Sequence, residues 1–294
     1  MLSKKGKNIF RIAEPYLFLT PAFVILLLFL IFPLFWNVYI SLHDVSLVNL
    51  LQGWTYVGWQ NFLDLFEDSN FQTSLKVTLE FVAGSVALQF GIGLLISTLL
   101  NQKVRVSGVL LAIFIIPWTI SAVIAAFSFK FMFDESFGIL DYLFEKIGLP
   151  PVNWLSDPNI VIWSVVIANI WYGTPFTILF LTAGTLSINP TIYEAAVIDG
   201  ASKFKSFLHI TLPLLKPFIV INLILITMWS VNFFDLQLVM TGGGPMFAST
   251  TASLYMYRQA FEFGLLSKGA SVGLILIVIN LVVAFIYVKL LRVR

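Results

Sequence analysis

No cysteine occurs among the 294 residues, which removes disulfides, thiolate metal sites and cysteine nucleophiles together. Histidine is nearly as scarce. His43 and His209 are the two present, far apart and without a second histidine at helical ligand spacing, so no zinc site is expected. Charge is thin as well. Asp, Glu, Lys and Arg make up 11% of the chain, less than half the ~25% of an ordinary soluble domain. The net charge of +2 comes from scattered basic residues, which leaves no patch for nucleic acid. There is no His-Glu-x-x-His helix. Gly242-Gly243-Gly244 is no phosphate-binding loop, because no strand is expected before it and no Gly-Lys-Ser/Thr follows. Neither a bound cofactor nor enzymatic activity is expected of this chain.

What the chain has is apolar length. It is 59% hydrophobic, with a mean hydropathy of +0.94. Six runs, roughly Tyr16–Ile40, Thr73–Leu100, Val109–Phe131, Ile160–Leu181, Pro217–Leu238 and Ala270–Leu290, each reach the ~20 residues that carry a helix across ~30 Å of hydrocarbon. Barrel strands would be shorter and would alternate in polarity, which these runs do not. The expected class is an all-α membrane protein with six transmembrane helices. Lys4, Lys5, Lys7 and Arg11 before the first run suggest a signal peptide. That run is too long for a cleavable apolar segment, and no small-x-small site follows it. A tail at 1–15 and a retained first helix at 16–40 are therefore expected.

Basic residues orient the spans. With the N-terminus inside, Lys76, Lys130, Lys146, Arg258 and Lys268 are the five of the 17 cations that fall outside. The other twelve, among them Lys103, Arg105, Lys203, Lys205, Lys216, Lys289, Arg292 and Arg294, fall inside. Both termini, and the loop between the fourth and fifth spans, are then cytoplasmic.

That loop, at about 185–216, carries the densest pattern in the chain: Glu194-Ala195-Ala196-Val197-Ile198-Asp199-Gly200-Ala201, then Phe204, Phe207, Ile210, Pro213 and Pro217. Ser187 or Asn189 can cap a helix here, and Pro190 suits its first turn. Glu194 lies near the positive helix end. Ile192, Ala195, Ala196 and Asp199 are spaced to share one face, Gly200 supplies a left-handed stop, and Pro213 and Pro217 stiffen the join to the fifth span. The pattern resembles the "EAA" loop of the membrane subunits of bacterial and archaeal ABC importers.

Two further segments resemble the same family. Thr241-Gly242-Gly243-Gly244-Pro245 is similar to the T-x-G-G-P stretch of one of the two membrane subunits in carbohydrate importers of the maltose and glycerol-3-phosphate type. Trp171-Tyr172-Gly173-Thr174-Pro175-Phe176 is similar to the family's W-x-G-x-P-aromatic segment. The resemblance implies a type I ABC importer permease bundle over 71–291, with five core helices, a peripheral first span and a cytoplasmic coupling helix. It implies a place in the cytoplasmic membrane and four kinds of partner: a second homologous permease subunit, two copies of an ABC ATPase, an extracytoplasmic solute-binding protein and the lipid bilayer. ATP and Mg would be used by the ATPase. The coupling positions carried over are Glu194, Ala195, Ala196, Asp199, Gly200, Ala201, Phe204 and Pro213. The substrate-path positions are Tyr172, Gly173, Phe176, Trp229, Ser230 and Phe233. Aromatic faces beside a few hydrogen-bonding groups suit a carbohydrate, but the same aromatics would serve equally as packing between helices.

Glu80 and Asp235 are the acidic residues inside expected spans. A carboxylate at the bilayer centre costs at least ~2.5 kcal/mol, so each needs a reason. Both can lie near the outer interface, Glu80 one turn after Lys76. They could instead carry an ion, which would make the chain an ion-coupled secondary transporter. Trp54, Tyr56, Trp59, Phe62 and Trp154 fall in outer loops, as interfacial anchors or as contacts for a solute or docking protein.

Overall fold

The computed structural model describes residues 17–100 and 107–291. Tyr16, the tail 1–15 and the cations Lys103, Arg105, Arg292 and Arg294 lie outside the described residues. Among the described residues five helices are long and apolar enough to cross a membrane, or six if a bent pair counts as one span: α1 (Leu17–Ser41), α3 (Ser69–Leu100), α7 (Val161–Leu186), α9 (Lys203–Met240) and α11, whose apolar stretch is Leu266–Leu290. Short helices lie between them: α2 (Gln60–Glu67), α6 (Ile139–Lys146), α8 (Pro190–Ile198) and α10 (Ala252–Tyr257). A two-residue hairpin pairs β1 (His43–Asp44) with β2 (Thr55–Tyr56).

The third expected span is not one straight helix. It is α4 (Ser107–Thr119) followed by α5 (Ala122–Met132), which turns away by 90°. Pro117 removes one helical donor inside α4. Two residues beyond α4, Ser121 is extended, with ψ 137°. Hydropathy counts apolar residues and is blind to their direction, so the run 109–131 read as a single span.

The fifth span also departs from expectation. Helix starts at Lys203 rather than Pro217, so Pro213 and Pro217 stand inside α9 instead of in a connecting turn. A proline clashes with the carbonyl four residues before it. The backbone meets this with a wider turn: residues 207–211 form a π-turn two residues before Pro213, and residues 27–31 form another two residues before Pro33. Such insertions relieve the helix where its regular ladder fails. Near its far end α9 unwinds at Phe233 and Phe234 and resumes as Asp235–Met240.

The two interruptions meet. Ala126 and Phe129 of α5, with Phe133 just beyond, form one buried cluster with Leu236 and Met240 of the last piece of α9 and Val165 and Ala168 of α7. The tightest helix pair is α3 with α7. A Cβ on Gly84 would fall 2.8 Å from Trp163, and one on Gly93 would overlap Thr177. Small residues of this kind let helices associate where no water drives them together. Polar side chains point into the bundle. Thr78 Oγ1 accepts from the Ala252 amide at 2.8 Å, which fixes the start of α10 on α3, and Asn222 reaches Thr177 at 3.5 Å. By contrast, the whole apolar window of α1 is exposed.

Candidate functional site

The α9 break opens a cavity of about 480 Å³ between α3, α7, the end of α4 and α9. Five of the six residues carried over for the substrate path line it: Tyr172, Gly173, Trp229, Ser230 and Phe233. Tyr172 and Phe233 stack with centroids 5.7 Å apart and planes 13° apart. Phe176 is half-buried beside the lining, edge-on to Trp229 with ring centroids 4.5 Å apart and 5.6 Å from that of Trp118.

Gln89, Trp118, Asn169 and Asn232 complete the polar and aromatic lining, and sequence reasoning missed them. A signal existed: an amide inside a span needs a reason as much as a carboxylate does. Gln89 donates from Nε2 to the Asn169 carbonyl at 2.9 Å. The Asn169 side chain is 4% exposed, and its own Nδ2 has no protein partner. No charged side chain lines the cavity among the described residues.

Glycine at 173 is dictated by Gln89. A Cβ there would lie 2.7–2.8 Å from the Gln89 amide atoms. Gly173→Ala is expected to displace that amide and break its bond to Asn169, at a cost of about 1–3 kcal/mol. The purified variant should melt earlier. Combining it with Gln89→Ala should cost less than the two single changes added together, because the clash goes with the amide. Strict additivity would show that the two residues do not meet.

The 185–216 segment folds by its caps. Asn189 Oδ1 accepts from the Thr191 amide at 3.1 Å and starts α8, with Pro190 in its first turn. At the other end Gly200 has φ +77°. The Gly200 amide donates to Val197 at 3.1 Å and the Ala201 amide to Ala196 at 2.9 Å. These two bonds close the left-handed helix stop. The face expected to hold Ile192, Ala195, Ala196 and Asp199 divides. Ala196 is buried, while Ile192, Ala195 and Asp199 are exposed. Neighbouring residues lie 100° apart around a helix, so Ala195 and Ala196 fall on opposite sides of its waterline. Glu194 and Pro213 are also exposed, and Val197, Ile198 and Phe204 are exposed by 70%, 85% and 69%. The Tyr193 hydroxyl lies 3.0 Å from Thr211 Oγ1, tying α8 to the π-turn of α9.

At the opposite end of α9, Thr241 to Pro245 form a knotted loop. Gly242 and Gly243 have φ +60° and +82°. Thr250 Oγ1 donates to the Gly243 carbonyl at 2.8 Å, Ser249 Oγ to that of Gly244 at 2.7 Å, and Arg258 to that of Gly242. Arg258 also pairs with Glu262 at 3.3 Å. Tyr255 donates to Asp68 Oδ2 at 2.7 Å, and burial followed by that carboxylate pushes its phenol well above the ordinary tyrosine range. Neither Glu80 nor Asp235 lines the cavity, though Asp235 is within electrostatic reach of Tyr172. Gly269-Ala270-Ser271-Val272-Gly273 spells a nucleophile pattern. It lies inside α11, however, where Ser271 is fully buried and donates to the Ser267 carbonyl at 2.8 Å, so it is not a strand-to-helix elbow. Among the described residues no three His, Cys, Asp or Glu side chains could hold a metal.

The profile of the binding-protein-dependent transport system inner membrane component family matches residues 89–292. The chain belongs to that family. Among similar members are the trehalose/maltose transport system permease protein MalF of Thermococcus litoralis, 37% identical over 95% of this chain and 94% of its own, and the arabinooligosaccharides transport system permease protein AraP of Bacillus subtilis, 30% identical over 95% and 88%. The sulfoquinovosyl glycerol transport system permease protein SmoG of Agrobacterium fabrum is also 30% identical, over 95% and 90%. A chain of a bacterial ABC transporter that imports the acidic polysaccharide alginate superposes with a TM-score of 0.83, at 25% identity and 99% coverage of both chains. The ABC importer permease resemblance read from the three sequence motifs therefore holds at the level of the family, and its members are multi-pass membrane subunits.

Proposed function

We propose that this permease carries a neutral carbohydrate into the cell as one of two homologous membrane subunits of an ATP-driven importer. The observation that carries this reading is the cavity, a mid-bundle space walled by Tyr172, Trp229 and Phe233 and by the amides of Gln89, Asn169 and Asn232, with no charged side chain on it. Aromatic faces stack on the C–H surface of a sugar ring, and amides both donate to and accept from its hydroxyls. The relatives' names support a carbohydrate, since they include trehalose or maltose, arabinooligosaccharide and sulfoquinovosyl glycerol transport; the neutral charge rests on the cavity lining alone, because the alginate importer carries an acidic polysaccharide.

In this reading both termini and α8 face the cytoplasm. Two copies of a separate ATPase hold Mg and ATP, and each membrane subunit is met by one copy. Glu194, Ala195, Asp199, Gly200, Ala201, Phe204 and Pro213 form the docking surface, with the buried Ala196 shaping it from behind. A solute-binding protein delivers the sugar at the Thr241 end; a structure of the alginate transporter includes such a periplasmic protein. ATP-driven closure moves α8, and the Tyr193–Thr211 contact passes the motion to α9, whose break at Phe233 lies at the cavity. Alternating access follows when the two ends of the cavity open in turn. The ion-coupled alternative has no comparable support, because Glu80 and Asp235 are not on the cavity wall.

The test is uptake of a labelled neutral oligosaccharide by vesicles holding the complex that co-purifies with this chain. Uptake should stop when ATP is depleted and persist when a protonophore collapses the proton gradient. The opposite pattern would return the ion-coupled reading.

A further inference from the structure

The hairpin that follows α1 has its polarity inside out. From residue 45 to residue 63 there is no charged side chain. Several polar groups of the hairpin tip are satisfied within it or by its neighbours, while the Asp44 and Gln52 side chains stay exposed. Asn49 Oδ1 accepts from the Ser46 amide at 2.7 Å, Asn49 Nδ2 donates to the Asp44 carbonyl at 3.0 Å, and Ser46 Oγ takes the Asn49 amide at 3.3 Å. The Leu47 amide donates to the Gly264 carbonyl at 2.8 Å. Apart from Gln52, the side chains the tip turns outward are apolar: Val48 is 85% exposed and Leu51 97%. A loop in water does the reverse. Internal satisfaction of backbone groups beneath an apolar exterior is what hydrocarbon demands of a chain.

The hairpin also folds back instead of standing away from the bundle. Trp54, which enters the returning strand, meets Trp36 edge-on at 5.6 Å and Tyr39 at 6.0 Å. Trp36 lies five residues before the end of α1 at Ser41, about 7.5 Å further down the helix axis. The returning strand is therefore level with the last turns of a helix whose apolar window is wholly exposed. Through Trp54 the hairpin is joined to the exposed apolar surface of α1.

We propose that residues 45–54 are a lipid anchor seated in the outer leaflet, with Val48 and Leu51 among the upper acyl chains and Trp54, Gln52 and the neighbouring Asp44 at the headgroup boundary. The anchor fixes the outer end of α1 against the start of α11 through the Leu47–Gly264 and Ser267–Val45 backbone bonds. A docking surface for the solute-binding protein would project into the aqueous phase, whereas this one turns back along the span.

The absence of cysteine from the chain makes the test direct. Leu51→Cys and Val48→Cys are each labelled with a nitroxide in the assembled complex in lipid vesicles, with the unsubstituted complex as background. Collisions are then measured with oxygen, which concentrates in lipid, and with a water-soluble nickel chelate. The anchor predicts that oxygen broadens both labels more than nickel does, and that adding binding protein leaves the ratio unchanged. Free access of nickel to both labels would overturn the proposal. So would nickel access that disappears when binding protein is added, which would make the tip a protein-docking surface.

Discussion

Trp229→Ala will raise the solute concentration for half-maximal uptake by about 10- to 150-fold. The ring lines the cavity and is 47% exposed to it and its surroundings, so much of its face is open to a ligand. Removing an apolar face of this size from a buried contact costs about 1.5–3 kcal/mol, and each 1.4 kcal/mol is tenfold in affinity. Trp229→Phe keeps a stacking face and should recover most of the loss. Phe176→Leu is the control that separates binding from packing. Phe176 packs edge-on against Trp229, with centroids 4.5 Å apart, and is not among the lining residues, so that change should lower thermal stability more than it raises the half-maximal concentration. Equal uptake curves for Trp229→Ala and Trp229→Phe would mean the ring does not face the solute.

The same cavity marks the limit of what the sequence discloses. Trp229 and Phe233 sit four residues apart, and the order of residues along one helix is enough to place them together. Gln89 and Asn169 meet across two spans, and only the approach permitted by Gly173, Gly93 and Gly84 brings them together. No local pattern encodes that. The elbow between α4 and α5 was hidden for another reason: both arms are apolar, and the 90° turn changes direction without changing hydropathy. The ends of α8 were legible because caps are local chemistry. Asn189 and Gly200 each act through backbone groups within five residues. Which of the two alanines faces inward was not legible, because that depends on what lies beneath the helix.

Gly200 gives the sharpest test of the cap, since two explanations of its presence predict different orders of activity. Nothing lies within 4 Å of the position a Cβ would take, so within this chain there is room for a side chain. The obstacle is the backbone at φ +77°. An L-residue there costs about 1–2 kcal/mol, and asparagine is tolerated better than alanine or valine. Such a cost reduces the share of subunits whose loop holds this shape by about 5- to 30-fold. If the left-handed stop is what the proposed ATPase contact needs, ATP-dependent uptake should fall in the order Gly, Asn, Ala, Val. If glycine is instead required because the ATPase surface presses against Cα, size decides. Alanine would then be the mildest change, and asparagine would be worse despite its easier backbone. Amounts of the subunit in the membrane, measured alongside, separate either effect from misfolding. Normal uptake by the valine variant would remove Gly200 from the coupling surface altogether.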